Sequence, residues 1–167
     1  MKTYPHIDTI WKRDMETMPK GRIQVGAFAT PEFEYLQENL WVGTEKVDGT
    51  NIRIMWDGHT RTFGGKTDAA QIPARLLPRL EELFPSEKMA AQFGDPICLY
   101  GEGFGAGIQK GGGNYFPDRQ EFVLFDAKVG EWWLTRRALE SIAADMGVAI
   151  VPISFMGTLW EACDWVE

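Results

Sequence analysis

The clearest pattern of apolar and polar positions lies in the second quarter of the chain. A strand-like run over residues 41–46 precedes the pair Asp48-Gly49, and apolar and polar side chains then alternate from Thr50 to Trp56. Alternation of period two buries one face of a strand and leaves the other free to meet a ligand. Asp-Gly between two such runs is the commonest short hairpin signal. A second pair, Asp57-Gly58, leads into residues 61–63 and predicts a further hairpin.

Helical periodicity follows the hairpins. Leucines and Phe84 recur at helical spacing over residues 72–84, where Pro78 must start, kink or split the helix. A second, short helix is predicted over residues 86–93. Thr135 can cap a helix that runs to Met146 and ends at Gly147, and Thr158–Glu161 is a capping box that opens a last helix.

Short apolar segments between these helices predict further strands. Residues 97–100 lead into the glycine-rich run Gly101–Gly107, and a second glycine loop follows at residues 111–113. Phe122–Phe125 is wholly apolar, which is typical of a strand buried on both faces. Residues 148–151 form another predicted strand. Antiparallel hairpins with interposed helices predict an α+β fold.

The first 40 residues give a weaker pattern, which prolines punctuate. Ile7, Ile10 and Trp11 have the spacing of one helical turn, and residues 33–36 fit either a short helix or an edge strand. No long periodic helix is predicted there.

Composition favours a single globular domain. The chain has 167 residues, 44% of them apolar, with seven Trp and ten Phe to fill a core. No stretch approaches 18 uninterrupted apolar residues, and the N-terminus lacks the apolar run of a signal peptide. We therefore expect a monomer in the cytoplasm, with no membrane partner.

Metal-ligating and basic residues are sparse. The cysteines are Cys98 and Cys163 and the histidines His6 and His59, so neither a disulfide framework nor a His/Cys metal site is indicated. The formal net charge of −7 argues mildly against nonspecific nucleic-acid binding, which needs clustered Lys and Arg. The net charge does not exclude a local basic cleft.

Several familiar catalytic patterns fail. Gly65-Lys66-Thr67 ends like a P-loop, but Thr60 stands where its first glycine belongs. The run from residue 101 does not satisfy G-x-G-x-x-G, because Ala106 and Ile108 interrupt it. Ser and His residues show no hydrolase triad pattern.

Lys46, just before the Asp48-Gly49 turn, has two interpretations on the local pattern. An ordinary hairpin lysine is the commoner one, and a nucleophile on a rigid edge beside a tight turn is the other. A free lysine with a pKa of about 10.4 is neutral in roughly one molecule in a few thousand at pH 7. As a nucleophile, Lys46 would therefore need partial burial, neighbouring cations or a bound metal to lower its pKa.

Four sequence blocks favour the interpretation of Lys46 as a nucleophile. They are Lys46-x-Asp48-Gly49-x-Asn51, Phe63-Gly64-Gly65-Lys66-Thr67, Tyr100-Gly101-Glu102-Gly103-Phe104-Gly105 and Phe122-Val123-Leu124-Phe125-Asp126. In this order they resemble the covalent nucleotidyltransferases, and most closely the small ATP-dependent RNA ligases of phages and bacteria. The resemblance covers residues 40–135 well. It implies an ATP-grasp-like ligase adenylation fold, with two antiparallel sheets, flanking helices and a cleft for ATP.

The resemblance also implies roles for single residues. Lys46 would attack the α-phosphorus of ATP and carry AMP as a phosphoramidate. Asn51 would meet a phosphate or a nucleic-acid 3′ end. Lys66 stands where an arginine is usual, so the charge is kept and the planar fork is lost. The full set of implied nucleotide-binding residues is Glu45, Asp48, Gly49, Lys66, Glu102 and Phe125, where Glu102 matches a ribose-binding glutamate and Phe125 an aromatic that stacks on adenine.

Without the resemblance, most of these residues have plainer interpretations. Asp48 is then a turn former, Asn51 a surface amide and Phe125 a core side chain, while Lys66 and Lys110 are solvated loop lysines. Glu102 differs, because an isolated carboxylate among glycines has little structural use.

The resemblance implies ATP and Mg²⁺ as cofactors, with no residue assigned to the metal, and RNA ends as partner, with DNA ends as the alternative. The family continues with Glu-Gly and Lys-x-Lys blocks. No Glu-Gly pair follows Phe125 and no lysine follows Lys128. We therefore expect one nucleotidyltransferase domain over residues 1–167, incomplete at the C-terminus, with slow or absent self-adenylylation.

Two classes of function stay open. The first is an RNA ligase, in a bacterial or phage-infected cell, that forms lysyl-AMP and seals RNA 5′-phosphate and 3′-hydroxyl ends. The second is a non-catalytic module that holds ATP or nucleic-acid ends. A DNA ligase and a capping-type guanylyltransferase are relatives that share the lysine chemistry.

Overall fold

A computed structural model describes residues 3–16 and 21–166. The chain divides into two compact units. One contains Lys46–Val151 together with the N-terminal residues up to Tyr4, and the other contains Pro5–Glu45 and Pro152–Glu167. The single nucleotidyltransferase domain expected over residues 1–167 stays a prediction.

The elements follow one another in mixed order. They are β1 (Trp11–Asp14), β2 (Arg22–Phe28), α1 (Pro31–Leu36), β3 (Trp41–Thr44), β4 (Thr50–Trp56), β5 (Arg61–Gly64), α2 (Leu77–Leu83), α3 (Ser86–Gln92), β6 (Ile97–Gly105), β7 (Gln120–Val129), β8 (Trp132–Trp133), α4 (Arg136–Met146), β9 (Ala149–Ile150), β10 (Ile153–Gly157) and α5 (Leu159–Val166). A short 3₁₀ turn, Gly112–Asn114, lies between β6 and β7.

The larger unit is organised around one six-stranded sheet. Its strands lie in the order β5-β4-β6-β7-β8, and β9 adds a parallel pairing to β7. One face of the sheet is apolar, because the alternation in β4 buries Ile52, Ile54 and Trp56 to 2% exposure or less. This face packs with residues of α2, α3 and α4 in the main core. The opposite face is therefore available for polar groups of β4 and β6.

Close packing explains the glycines in the second half of β6. A Cβ atom on Gly101 would overlap the Phe122 ring, and one on Gly103 would overlap the Leu76 side chain. The sequence predicted a strand over residues 97–100 only, but β6 extends to Gly105. The glycines here let neighbouring elements approach.

The second unit holds two small antiparallel ladders in its described residues. One pairs β1 with β2 and the other pairs β10 with β3. The prediction of a helical turn at Ile7, Ile10 and Trp11 is wrong, since Trp11 begins β1 and stacks against Phe28 of β2 at 4.8 Å. Tertiary contact between the two aromatic rings overrides the local spacing.

Most local predictions are confirmed. The 50–56 strand and the hairpin at Asp57-Gly58 are present, and α2 begins at Leu77 with Pro78 in its first turn. The hairpin predicted at Asp48-Gly49 is wrong, because β3 pairs with β10 while β4 pairs with β5 and β6. Thr135 Oγ1 accepts a hydrogen bond from the Ala138 N–H, and Gly147 ends α4 with a φ of 62°. The α+β prediction is confirmed, with antiparallel sheets and flanking helices. Among the described residues, no helix is long and apolar enough to cross a bilayer.

Candidate active site

The Lys46–Gly49 segment leads into β4 and lies against β6. Lys46 and Asp48 are exposed, and Val47 between them is buried at 7% exposure beside Val123. A Cβ atom on Gly49 would overlap the Gly103 carbonyl oxygen and crowd the Glu102 side chain. Glycine is therefore the residue that lets this turn rest on β6, with Lys46 free to point into solvent or onto a ligand.

Glu102 is the partly buried acidic group of the site. Its side chain is half-buried on β6. Burial raises the pKa of Glu102 to about 7, the positive charge of Lys46 opposes that rise, and the negative charge of Asp48 adds to it. Near neutral pH the carboxyl group is therefore present in both protonation states.

Asn51 lies directly opposite Glu102 in the β4–β6 ladder. Side chains of directly opposed residues project from the same face of a sheet, so the two groups share the face away from the main core. The Asn51 Oδ1 atom is buried and has no hydrogen-bond partner within residues 3–16 and 21–166. Such an unpaired acceptor is uncommon in native proteins, and a ligand that donates a hydrogen bond would satisfy it.

Phe125 occupies an irregular position in β7. Tyr100 pairs with Asp126 and Gly101 with Leu124, so Phe125 is the extra residue of a bulge in the β6–β7 ladder. Bulges re-aim side chains and are common beside functional sites. Phe125 is partly buried and packs against a small cluster of Val47, Val123 and Val151. The bulge thus brings the predicted adenine-stacking ring to the same cluster that anchors the Lys46 segment.

Lys66 is exposed in the loop after β5, and a buried arginine anchors that loop. Arg53 is fully buried on β4; its Nε donates to the Gly65 carbonyl oxygen at 2.7 Å, and its guanidinium pairs with Asp68 at 2.7 Å. Arg53 alternates with the buried Ile52 and Ile54, which puts it on the same face as Asn51. The alternation from Thr50 to Trp56 predicted Arg53 on the polar face of the strand, and no motif gave it a role.

Tyr4 and Asp126 form a second unpredicted pair in this unit. The Tyr4 hydroxyl donates to Asp126 Oδ2 at 3.1 Å, and its ring lies edge-on to Phe125 with centroids 5.0 Å apart. Burial raises the pKa of Asp126, and its hydrogen bonds, including the one from Tyr4, oppose that rise. Nothing in the ambiguous N-terminal pattern pointed to Tyr4.

Two further residues singled out from the sequence are Glu45 and Lys110. Glu45 belongs to the second unit, where its backbone N–H donates to the Pro152 carbonyl oxygen at 3.3 Å. Lys110 is exposed in the loop between β6 and β7. Within the described parts of the chain, no group of three or more His, Cys, Asp or Glu side chains is arranged to hold a metal ion.

The geometry combines an exposed primary amine, a half-buried carboxyl group and an unpaired amide oxygen at one end of the β4–β6 pair. An amine in that setting can act as a nucleophile towards a bound electrophile, while the carboxyl and amide groups bind polar parts of the same ligand. Phe125 adds an aromatic ring, on which a planar base can stack.

Comparison with known proteins gives a family and a set of similar structures. A family model described as RNA ligase matches residues 39–164. A search of curated proteins finds no match.

Solved structures of variants of Naegleria gruberi RNA ligase resemble this chain. An apo variant gives a TM-score of 0.65 at 20% identity, covering 77% of this chain and 40% of that one. A variant with AMP and Mn gives 0.66 at 20% identity, covering 94% and 46%. A variant with ATP and Mn gives 0.66 at 21% identity, covering 95% and 50%. The chain thus spans half or less of the length of these similar structures.

Proposed function

The chain belongs to the RNA ligase family, and from that premise we propose that it is an ATP-dependent nucleotidyltransferase in which Lys46 forms a covalent lysyl-AMP intermediate. One observation carries the proposal. The Gly49 turn rests directly on β6 at Glu102, so the exposed amine of Lys46 and the half-buried carboxyl group lie within electrostatic reach of each other. A nucleotide whose sugar binds Glu102 would present its phosphates towards Lys46.

The proposed chemistry is a substitution at phosphorus. The neutral Nζ of Lys46 attacks the α-phosphorus of ATP, an N–P bond forms, and the P–O bond to the β-phosphate breaks. Pyrophosphate leaves, and the nitrogen loses a proton to solvent. Positioning of the amine in line with the leaving group provides most of the rate enhancement in such transfers.

Other residues of the site would bind the nucleotide. Glu102 would accept hydrogen bonds from the ribose hydroxyls, and Phe125 would stack on adenine. Lys66 would offset phosphate charge from the loop that Arg53 anchors. Asp48 and Gly49 would shape the turn, and Asn51 Oδ1 would accept a hydrogen bond from a hydroxyl at the reacting end. Glu45 would add a contact from the segment just before Lys46.

ATP and a divalent cation are proposed as cofactors. Support comes from similar solved structures that contain ATP and Mn. The cation would offset charge on the triphosphate. The described residues provide no cluster of side chains suited to bind it, so no residue of this chain is assigned to it.

RNA ends are the proposed partner, with DNA ends as the alternative. AMP would pass from Lys46 to an RNA 5′-phosphate, and an adjacent 3′-hydroxyl would then displace AMP and seal the strand. A monomeric, cytoplasmic protein of phage or bacterial type stays a prediction.

A labelling experiment tests the proposal. The chain is incubated with a divalent cation and ATP labelled at the α-phosphate, over times from minutes to a day, and protein-bound label is mapped by peptide mass. We expect label on Lys46 that depends on ATP and disappears in Lys46→Met. A matched control, Lys12→Met, removes an exposed lysine of β1 and should leave labelling unchanged.

The outcomes separate the open functions. Label with GTP but not ATP would favour the capping-type reaction. Saturable ATP binding without any adduct would favour the non-catalytic module. Label that persists in Lys46→Met would show that the nucleophile is another residue.

A further inference from the structure

The loop between β6 and β7, residues 106–119, holds the backbone of the Asp48-Gly49 turn from two sides. The Asp48 N–H donates to the Tyr115 hydroxyl oxygen at 3.3 Å, and Gln109 Nε2 donates to the Gly49 carbonyl oxygen at 2.9 Å. Both side chains therefore bind main-chain groups immediately after Lys46. Main-chain contacts of this kind fix the path of a turn, whatever its side chains are.

Gln109 adopts a backbone conformation that a glutamine disfavours. Its φ is 56°, and it is the one non-glycine residue with positive φ in the described part of the chain. A glycine would reach this region without steric strain, and glycines flank the position at Gly107 and Gly111. A strained residue persists when its surroundings require it, and such residues cluster at functional sites. The contact to Gly49 is a requirement that glycine cannot meet.

Packing around its ring positions the Tyr115 hydroxyl as an acceptor for the turn. Its ring lies edge-on to Phe104 with centroids 5.3 Å apart and packs against the small cluster that contains Val47. Gly111 brings the same loop close to the turn, since a Cβ atom there would lie 3.2 Å from Asp48 Oδ2. The loop thus contacts the turn at a backbone donor, a backbone acceptor and a side chain.

We propose that Tyr115 and Gln109 are positioning residues, which hold the Asp48-Gly49 turn so that Lys46 stays aligned for attack on the nucleotide. The proposal rests on the proposed function of Lys46. Neither residue is assigned a contact with ATP, so their removal should slow the chemical step without weakening nucleotide binding. A misaligned nucleophile can lower a rate by one to two orders of magnitude.

Two variants test the proposal. Tyr115→Phe removes only the hydroxyl, and Gln109→Gly removes the side chain while relieving the strained φ. We expect each variant to lower the maximal rate of AMP adduct formation about tenfold, with the KM for ATP within about twofold of the original. Tm should be unchanged in Tyr115→Phe and unchanged or higher in Gln109→Gly. A loop with a merely structural role would not combine lower activity with equal or higher stability.

The matched control is Tyr35→Phe, which removes the hydroxyl of a tyrosine that is 87% exposed. It should leave rate and KM unchanged. An unchanged rate in Tyr115→Phe and Gln109→Gly would overturn the proposal.

Amide hydrogen exchange supplies a readout that does not need activity. Exchange at Asp48 should be at least about tenfold faster in Tyr115→Phe at equal Tm, because its N–H loses its acceptor. If the unaltered chain forms no adduct, the proposed function fails for this chain, and exchange alone decides whether the loop holds the turn. Unchanged exchange in both variants would overturn that as well.

Discussion

Asn51 and Glu102 lie directly opposite each other across the β4–β6 ladder. Asn51 Oδ1 is buried without a hydrogen-bond partner within the described ranges, and burial raises the pKa of Glu102 to about 7. Both features are unfavourable for stability in the absence of a ligand. Polar groups with such unmet interactions mark where a ligand is expected to bind, and their removal should separate stability from activity.

The first prediction concerns Glu102 and pH. Its pKa rises from an ordinary value of 4.5 to about 7 on folding. Folding therefore favours the protonated form, and the stability of the chain should fall as pH rises from about 4.5 to about 7. Glu102→Gln should be more stable than the original chain by about 2 kcal/mol at pH 8 and equal to it at pH 4. Urea unfolding at pH 4, 6 and 8 measures this difference.

Adduct formation should fall in Glu102→Gln, because an amide cannot replace a carboxylate as the proposed acceptor from two ribose hydroxyls. Glu81→Gln, at an exposed position of α2, is the matched control and should alter neither quantity. Equal stability of Glu102→Gln and the original chain at pH 8 would contradict the assigned pKa.

The second prediction concerns Asn51. Asn51→Leu removes the unpaired Oδ1 acceptor and puts an apolar side chain of similar size in its place, so the free energy of unfolding should be unchanged or higher. Sealing of a nicked RNA should fall by at least about tenfold, since the proposed hydrogen bond from the reacting end to Asn51 Oδ1 is lost. A gel assay of strand joining measures the loss. Asn39→Leu, an exposed control in the other unit, should seal normally, and normal sealing by Asn51→Leu would exclude the assigned role.

The third prediction concerns the ion pair of Arg53 and Asp68. The Arg53 side chain is 0% exposed and that of Asp68 is 89% exposed. Arg53→Lys keeps the charge but cannot bind Gly65 and Asp68 at once, so we expect a loss of about 1–3 kcal/mol in unfolding free energy and a higher KM for ATP.

Asp68→Asn weakens the ion pair that holds the Lys66 loop but leaves the packing around the buried Arg53 unchanged, because it alters only the exposed partner. It should raise KM with a smaller loss of stability, and the effects of the two substitutions should not add in the double variant. Arg137→Lys, on the exposed face of α4, is the control. Additive effects on KM would mean that Arg53 and Asp68 act separately.

The fourth prediction concerns the hydrogen bond between Tyr4 and Asp126. Tyr4→Phe removes the hydroxyl that donates to Asp126 and keeps the ring contacts with Phe125, Tyr100 and Trp133. It should lower the free energy of unfolding by about 1 kcal/mol, because Asp126 is left half-buried without this donor. Thermal and urea unfolding measure the loss, and Tyr35→Phe serves again as the control. If Tyr4→Phe leaves the free energy of unfolding unchanged and Tyr4→Ala lowers it strongly, the ring contacts alone stabilise this segment and the hydroxyl does not contribute.

Much of the fold was predictable because its signals are local. The alternation of Ile52, Ile54 and Trp56 predicted a strand with one buried face, and the Asp57-Gly58 pair predicted its hairpin with β5. The capping box is confirmed by mutual hydrogen bonds between Thr158 and Glu161. The N-terminal hairpin of β1 and β2 was not predicted, because its pairing depends on contacts between aromatic rings remote in sequence.

The sequence by itself determined the order of most elements between residues 50 and 146, the RNA ligase family blocks and the identity of Lys46, Glu102 and Phe125 as candidates, since periodicity and motif spacing are properties of neighbouring residues. Only the tertiary structure decided which of them meet. It buried Arg53 under the Lys66 loop, moved Phe125 into a bulge, and brought Gln109 and Tyr115 onto the Gly49 turn. Each of these depends on packing between segments far apart in the chain, where burial and hydrogen-bond geometry, rather than local propensity, set the position of a side chain.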